Sequence, residues 1–276
     1  MMDNPLNWHR PAALEDARAL LLRFPDAVPM GGGQHLIPRW QQSETPGTIV
    51  SLSLVPAMRG IERSGHTLRI GAAVTLSELA GSAVIMNSLP ALSSLAGNMG
   101  DRFMRNRATL GGALCTTSQA GCIPAAMLGT KAVVHTTARD IASQDWFRPH
   151  HAGRTLEKGE LIVGVSLEIP DAASHQCLRL VPGRFALLTV FATRTGHEFG
   201  VGISGLAASA FRAFAAEAWL AGGTAVDEAL GRMLQEHPAR SDIYAGSAYR
   251  QAQTRRLLIK TAAALIAEAP CGPSEM

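Results

Sequence analysis

The chain has 276 residues, of which 47% are hydrophobic and 17% charged, and a formal net charge of +3. That length and apolar content describe a folded chain with one large core or a few smaller ones, and exclude intrinsic disorder. The basic residues are scattered, in runs no denser than Arg255-Arg256, so no nucleic-acid footprint is present, and no apolar run reaches the roughly eighteen residues of a membrane span.

Met1-Met2-Asp3-Asn4-Pro5 has no apolar signal core, so the expected location is the cytoplasm. Cys115, Cys122, Cys177 and Cys271 match no zinc or iron–sulfur spacing, and Cys115 and Cys122 read as small buried thiols. His150-His151 lacks partner ligands, so no metal site is expected.

Pro11 to Phe24 carries Leu14, Ala17, Leu20 and Leu21 at helical spacing, with Glu15 and Asp16 in its first turn, and predicts an amphipathic helix. Ala27 to Met30 and Thr48 to Leu52 read as strands. Gly60 to Arg63 and Thr67 to Gly71 form a hairpin across Ser64-Gly65-His66, and short helices are expected over Ser77 to Ala83 and Pro90 to Gly97. Ala132 to Thr136 and Glu160 to Ile169 are strand-like. Pro170-Asp171 punctuates the chain and marks the expected domain boundary. Beyond it, strands over Leu187 to Thr193 and Phe199 to Leu206 precede helices over Ala210 to Leu220 and Ser247 to Ile266. Strands followed by helices predict a small α+β module, with the Leu257-Leu258…Leu265-Ile266 stripe as packing surface.

Two glycine clusters stand out, Gly31-Gly32-Gly33-Gln34 and Thr109-Leu110-Gly111-Gly112-Ala113. Glycine lets the main chain approach a ligand and take positive φ, so that successive amides converge on an anion. Two such loops in one chain point to a shared diphosphate, and hence to a dinucleotide cofactor. Thr116, Thr117 and Ser118 either face that cofactor or satisfy their own loop, and Arg105 and Arg107 around Asn106 read as structural arginines bonding loop carbonyls or a partner chain.

Trp8-His9-Arg10-Pro11-Ala12, Gly31 through Pro38, Leu68 through Ala72, Arg105-Asn106-Arg107-Ala108-Thr109-Leu110-Gly111-Gly112 and Gly159-Glu160-Leu161-Ile162 occur in this order. In that order the chain resembles the FAD-binding medium subunit of molybdenum hydroxylases, the carbon monoxide dehydrogenase and xanthine dehydrogenase group. The resemblance implies an α+β fold: a two-part FAD-binding domain of the vanillyl-alcohol oxidase type over residues 1–170, with parts of about 1–55 and 56–170. A C-terminal domain over 171–276 follows. It implies that Gly31, Gly32, Gly33, Gln34 and His35 clasp one side of an FAD diphosphate, and Thr109, Leu110, Gly111, Gly112 and Ala113 the other. Thr117 and Cys122 follow in the same site, Leu161 matches a position beside the flavin, and Arg179 falls near a cofactor-reaching lysine. It implies no catalytic acid–base set. Electrons would arrive from a small subunit with [2Fe–2S] clusters, fed by a large molybdopterin subunit, and leave to NAD or oxygen.

The chain differs from that pattern at four positions, one of them Leu188 where relatives have an acid. Ala113 stands where relatives have Asn, His35 where most have Ser or Asp, and Cys122 where an Asp bonds a ribose hydroxyl. Losing a charge-assisted hydrogen bond there would cost about 1.5–3 kcal/mol, or roughly one to two decades of affinity. A self-contained flavin oxidoreductase and a scaffold that has lost FAD remain as alternatives.

Overall fold

A computed structural model describes residues 6–40, 46–115, 121–148, 156–181, 183 and 185–267, whose strands form three sheets. The first is parallel, in the order β1-β3-β2. It is built from β1 (Asn7–His9), helix α1 (Leu14–Arg23), β2 (Ala27–Met30), the short helix α2 (Leu36–Trp40) and β3 (Thr48–Ser51). β3 is central and all four of its residues are buried, as expected for a parallel strand covered on both faces. α1 turns Ala17 and Leu21 into the core, with Glu15 and Asp16 at its positive end and Arg23 at its negative end. It begins at Leu14 rather than Pro11, because Ala13 is extended.

The second unit comprises β4 (Ile61–Ser64), β5 (Thr67–Gly71), helices α3 (Leu76–Gly81), α4 (Ala83–Ser88), α5 (Pro90–Gly97), α6 (Arg102–Arg105), α7 (Leu110–Leu114) and α8 (Cys122–Gly129), then β6 (Val133–Thr136), β7 (Asp140–Ala142), α9 (Ser143–Trp146) and β8 (Ile162–Glu168). Its sheet is antiparallel with order β4-β5-β8-β6-β7. Gly65, at φ +59°, makes the β4–β5 hairpin turn. Thr75 caps α3 in a reciprocal capping box with Glu78, a Thr-x-x-Glu pattern visible in the sequence.

The third unit is an antiparallel sheet, order β12-β11-β10-β9, followed by helices. Its elements are β9 (Ala172–Leu178), β10 (Leu188–Thr195), β11 (Glu198–Ser204), β12 (Phe211–Arg212), α10 (Phe214–Leu220), α11 (Val226–Glu236) and α12 (Ser247–Ala267). The α12 stripe is split: Leu257, Leu258 and Leu265 are buried, while Ile266 faces outward at 72% exposure. Arg250 on the same helix is buried. It donates to the Gly205 carbonyl at 2.6 Å and to both carboxylate oxygens of Asp242 at 2.8 and 2.9 Å, tying α12 to the turn after β11.

Helix α8 joins the second unit to the third. All eight of its residues are buried, because it lies against β10 and β11 on one side and α5 and α7 on the other. The contact is main chain on main chain. A Cβ on Gly202 would lie 2.0 Å from the Ala125 carbonyl oxygen, and one on Gly200 2.1 Å from that of Gly129. Thr193 adds a hydrogen bond from its hydroxyl to the Gly129 carbonyl at 2.7 Å. β10 is therefore covered by α8 on one face and α12 on the other, and six successive residues are buried. We predict that Gly202→Ala destabilises the protein by about 1–3 kcal/mol in chemical denaturation, through overpacking under α8. Gly231→Ala, mid-helix in α11 with open space around its Cα, should instead stabilise by about 0.5–1 kcal/mol.

Candidate functional site

β2 ends at Met30, whose carbonyl accepts the Leu52 amide at 2.9 Å. The chain then crosses from the sheet to α2 through Gly31–His35. Among the described residues, the amides of these five residues donate to no acceptor. Gly33 takes φ +75°, which lets the loop reverse without strain.

The second glycine loop is pinned differently. Thr75 and Thr109 form an isolated antiparallel bridge. Around it the Leu76 amide donates to Ala108 at 2.9 Å, Leu110 to Val74 at 2.9 Å, and Gly111 to Ala72 at 2.8 Å. Thr109 caps α7 by accepting the Gly112 amide at 3.2 Å. The second loop's Leu110 and Gly111 amides are thus spent on protein carbonyls. Its free contribution is the Thr109 hydroxyl proton.

The two loops touch. A Cβ on Gly31 would sit 2.5 Å from Thr109 Oγ1, and one on Gly32 1.6 Å from the Arg107 carbonyl oxygen. Only glycine permits this approach. Beside the contact opens a cleft of about 740 Å³, lined by Gly31, Gly32 and Thr109 together with Trp8, Arg10, Ser51, Ser53, Arg59, Thr75, Ser77, Glu78, Asn106 and Arg107. That volume lies within the range of small-molecule sites, ~300–1,000 Å³. On its rim Arg59 bonds Glu78 at 2.5 Å and the Ser77 hydroxyl donates to Asn106 Oδ1 at 2.6 Å. Burial is the largest influence on Glu78 and raises its pKa, but the Thr75 amide and hydroxyl and the Arg59 charge outweigh it, so the carboxyl is held below its ordinary range. Arg10 and Arg107 have no carboxylate partner among the described residues. The Gly31 and Gly32 amides, unsatisfied among the described residues, the Thr109 hydroxyl and the Arg10 and Arg107 guanidinium groups line one cleft and can hold a diphosphate without a metal.

The remaining predicted residues lie apart from this cleft. His35 is half-buried with its ring 6.3 Å from that of Phe185, and burial lowers its pKa below 6.5, leaving it neutral at pH 7. Gly111 packs on Ala72, and Ala113 packs on the core. Leu161 is buried in the core at the start of β8. Cys122 is buried at the start of α8, where its sulfur accepts the Thr189 hydroxyl at 3.3 Å, and Cys177 lies 3.5 Å from the same hydroxyl. A hydrogen bond from Cys177, its largest influence, takes the Cys122 thiol down to about 7 against the effect of burial, and the Cys177 thiol is pushed up. Arg179 lies near this cluster with Nε and Nη2 shielded and without an acceptor among the described residues.

Cys115, in contrast to the buried thiol expected, is exposed at the C-cap of α7, beyond the helix's buried Leu110 and Leu114. Arg105 donates to the carbonyls of Met99 and Gly100, the structural role expected of it. Thr116, Thr117, Ser118, His150, His151 and Cys271 fall outside the described residues. The arginines and serines of the cleft gave no local signal in the sequence: Arg59 and Ser53 belong to ordinary loops, and only the fold brings them beside Gly32.

The fold and cleft define a class of protein. The structure superposes on a chain of the reconstituted CO dehydrogenase from Oligotropha carboxidovorans with a TM-score of 0.87 at 25% identity, over 98% of this chain and 100% of that one. The carbon monoxide dehydrogenase medium chain of Afipia carboxidovorans is 30% identical over 176 residues, 62% of this chain and 61% of the relative. The nicotinate dehydrogenase FAD-subunit of Eubacterium barkeri is 30% identical over 176 residues, 59% and 58% of the two chains. The alignments thus span about three-fifths of the length of these relatives. Residues 4–171 match the family described as FAD binding domain in molybdopterin dehydrogenase. The chain belongs to that family of oxidoreductase flavoprotein domains, and its cofactor is FAD.

The Gly159-Glu160-Leu161-Ile162 motif is explained by structure rather than by the cleft. Glu160 is buried and accepts the Glu157 amide at 2.8 Å, the Thr136 hydroxyl at 2.7 Å and Arg139 Nε at 3.2 Å, fixing the β6–β7 hairpin to β8. Burial is the largest influence and raises its pKa, yet the Glu157, Thr136 and Arg139 contacts outweigh it and bring the group below 4.5. A depressed folded-state value stabilises at pH above 4.5 and loses that contribution as pH falls through the folded value. Glu160→Gln is expected to cost about 1.5–3 kcal/mol at pH 7. Its difference from wild type should shrink as thermal unfolding is followed down to pH 3.

Proposed function

We propose that the chain is the FAD-binding electron-transfer subunit of a cytoplasmic, heterotrimeric molybdenum hydroxylase. In this reading it receives electrons from [2Fe–2S] clusters of a small subunit, which a molybdopterin large subunit supplies, and passes them to an acceptor such as NAD or oxygen. The observation that carries it is the contact of the two glycine loops beside the cleft, with the Gly31–His35 amides unsatisfied. FAD bound there supplies the one- and two-electron chemistry, which the protein positions and tunes. The first loop's amides and the Thr109 hydroxyl would bind the diphosphate, and Arg10 and Arg107 would offset its charge. Arg179, with two shielded nitrogens lacking acceptors among the described residues, would meet a polar edge of the cofactor near the C-terminal sheet, beside Cys122. Leu161 would act from behind, by packing. We assign the cofactor domain to residues 1–170 and the C-terminal domain to 171–276; the extent of the family match, 4–171, supports that division.

The purified chain should show flavin absorbance that survives gel filtration, and should co-purify with an iron–sulfur and a molybdopterin chain. Flavin without partners would instead support a self-contained oxidoreductase; a colourless chain that takes up no FAD beside its partners would leave a scaffold. Gly112→Asp, which puts a carboxylate against Thr109 Oγ1, is expected to lower FAD content at least tenfold while circular dichroism is unchanged. Full FAD retention in that variant would refute the cradle assignment.

A further inference from the structure

The outer face of the five-stranded sheet carries a hydrogen-bonded chain that the flavin site does not use. His135 on β6 bonds Asp140 on β7 through Nδ1 at 2.7 Å, and Ser166 on β8 through Nε2 at 2.7 Å. The register explains the arrangement. His135 stands opposite Asp140 on one side and Gly164 on the other, and Ser166 is two residues along from Gly164 on the same face. Ser166 thus lies diagonally across from His135, and the imidazole reaches its hydroxyl. The residues between, Val134, Val165 and Leu167, face the core, so the face itself is fixed by burial.

With Asp140 ionised the carboxylate only accepts, so Nδ1 carries the proton toward it, and in the neutral imidazole Nε2 then accepts from the Ser166 hydroxyl. This is the protonation pattern in which a serine is activated as a nucleophile and an acid orients the base. A hollow of about 220 Å³ opens beside His135, lined also by Arg69, Glu62, Arg59, Gly71 and Gly164, with Ser166 just outside that lining. Arg69 is the cross-strand partner of Ser166. Its guanidinium has no hydrogen-bond or carboxylate partner among the described residues, which leaves its charge available to an anion on that face.

We propose that Ser166 and His135 form a second, flavin-independent site that hydrolyses short-chain carboxylic esters, with Asp140 as positioning residue and Arg69 as oxyanion donor. Ser166 Oγ adds to the ester carbonyl carbon while its proton passes to His135 Nε2. The acyl carbon–alkoxide bond then breaks, and the alcohol leaves with that proton. Water repeats the sequence: it gives a proton to Nε2, adds to the acyl carbon, and releases the carboxylic acid as Ser166 regains its hydrogen. Ester and water become acid and alcohol, with no oxidant or metal consumed.

The test uses the full chain with a fluorophosphonate probe and with p-nitrophenyl acetate. The expected result is stoichiometric phosphonylation mapped to Ser166 by peptide mass spectrometry, with saturable ester hydrolysis. Ser166→Ala and His135→Ala should each lower turnover about 100-fold or more, with thermal unfolding and FAD content unchanged. Asp140→Asn should lower kcat about tenfold or more at constant KM, and Asp140→Glu should recover part of it, which a merely structural aspartate would not do. No labelling of the folded wild-type chain, labelling only at another residue such as the exposed Cys115, or labelling at Ser166 that persists in His135→Ala would overturn the proposal.

Discussion

Main chain pressed against main chain is the constraint on which this structure depends. Gly32 meets the Arg107 carbonyl, and Gly200 and Gly202 meet the carbonyls of Gly129 and Ala125. The first contact closes the small parallel sheet onto the helical part of the second unit, and so makes one wall of the cleft. The others seat α8 on the C-terminal sheet. In each case a methyl group would overlap a backbone atom, so the separation of the units is set by the absence of a side chain. Interiors packed at crystal-like density do not absorb such an intrusion locally.

Polar anchors fix what the glycines bring together. Buried Glu160 and Arg250 each bond several main-chain or side-chain groups across element boundaries. A charge taken out of water is tolerated only when its bonds are met, so these residues specify geometry more than they add net stability. In the cleft the balance is reversed. Among the described residues the Gly31 and Gly32 amides lack acceptors and open on the cleft, and unmet donors at one opening are the physical mark of a site for an anion. The second loop, its amides already bonded to Ala72 and Val74, serves as a rigid wall for the first.

The elements with strong local patterns were legible in the sequence: α1 from its leucines and acidic first turn, the β4–β5 hairpin from Gly65, and the long final helix. Others were not. α8 has no polar face because both sides are covered, so it carries no 3.6-residue alternation. β9, Ala172–Leu178, is made of small and polar residues and draws its strand character from pairing with β10. α11 is strongly amphipathic with Asp227 and Glu228 in its first turn, and its signal was present but unread. In the site, the paired glycines were visible at once. Which loop keeps its amides free was invisible, because that depends on the partner strand and not on the glycines.

The sequence by itself presented two glycine loops of a kind suited to an anionic cofactor, and their order with the flanking motifs carried the resemblance to FAD-binding subunits. Local chemistry suffices for that, since glycine, threonine and capping residues act over a few positions. Only the tertiary structure decided which donors remain unspent, that Arg10, Ser53 and Arg59 share the cleft, and that Leu161 and Cys122 sit in packed interior. It alone aligned Asp140, His135 and Ser166, because the strand register brings them into line. Such juxtapositions depend on contacts between residues far apart along the chain, and no local pattern encodes them.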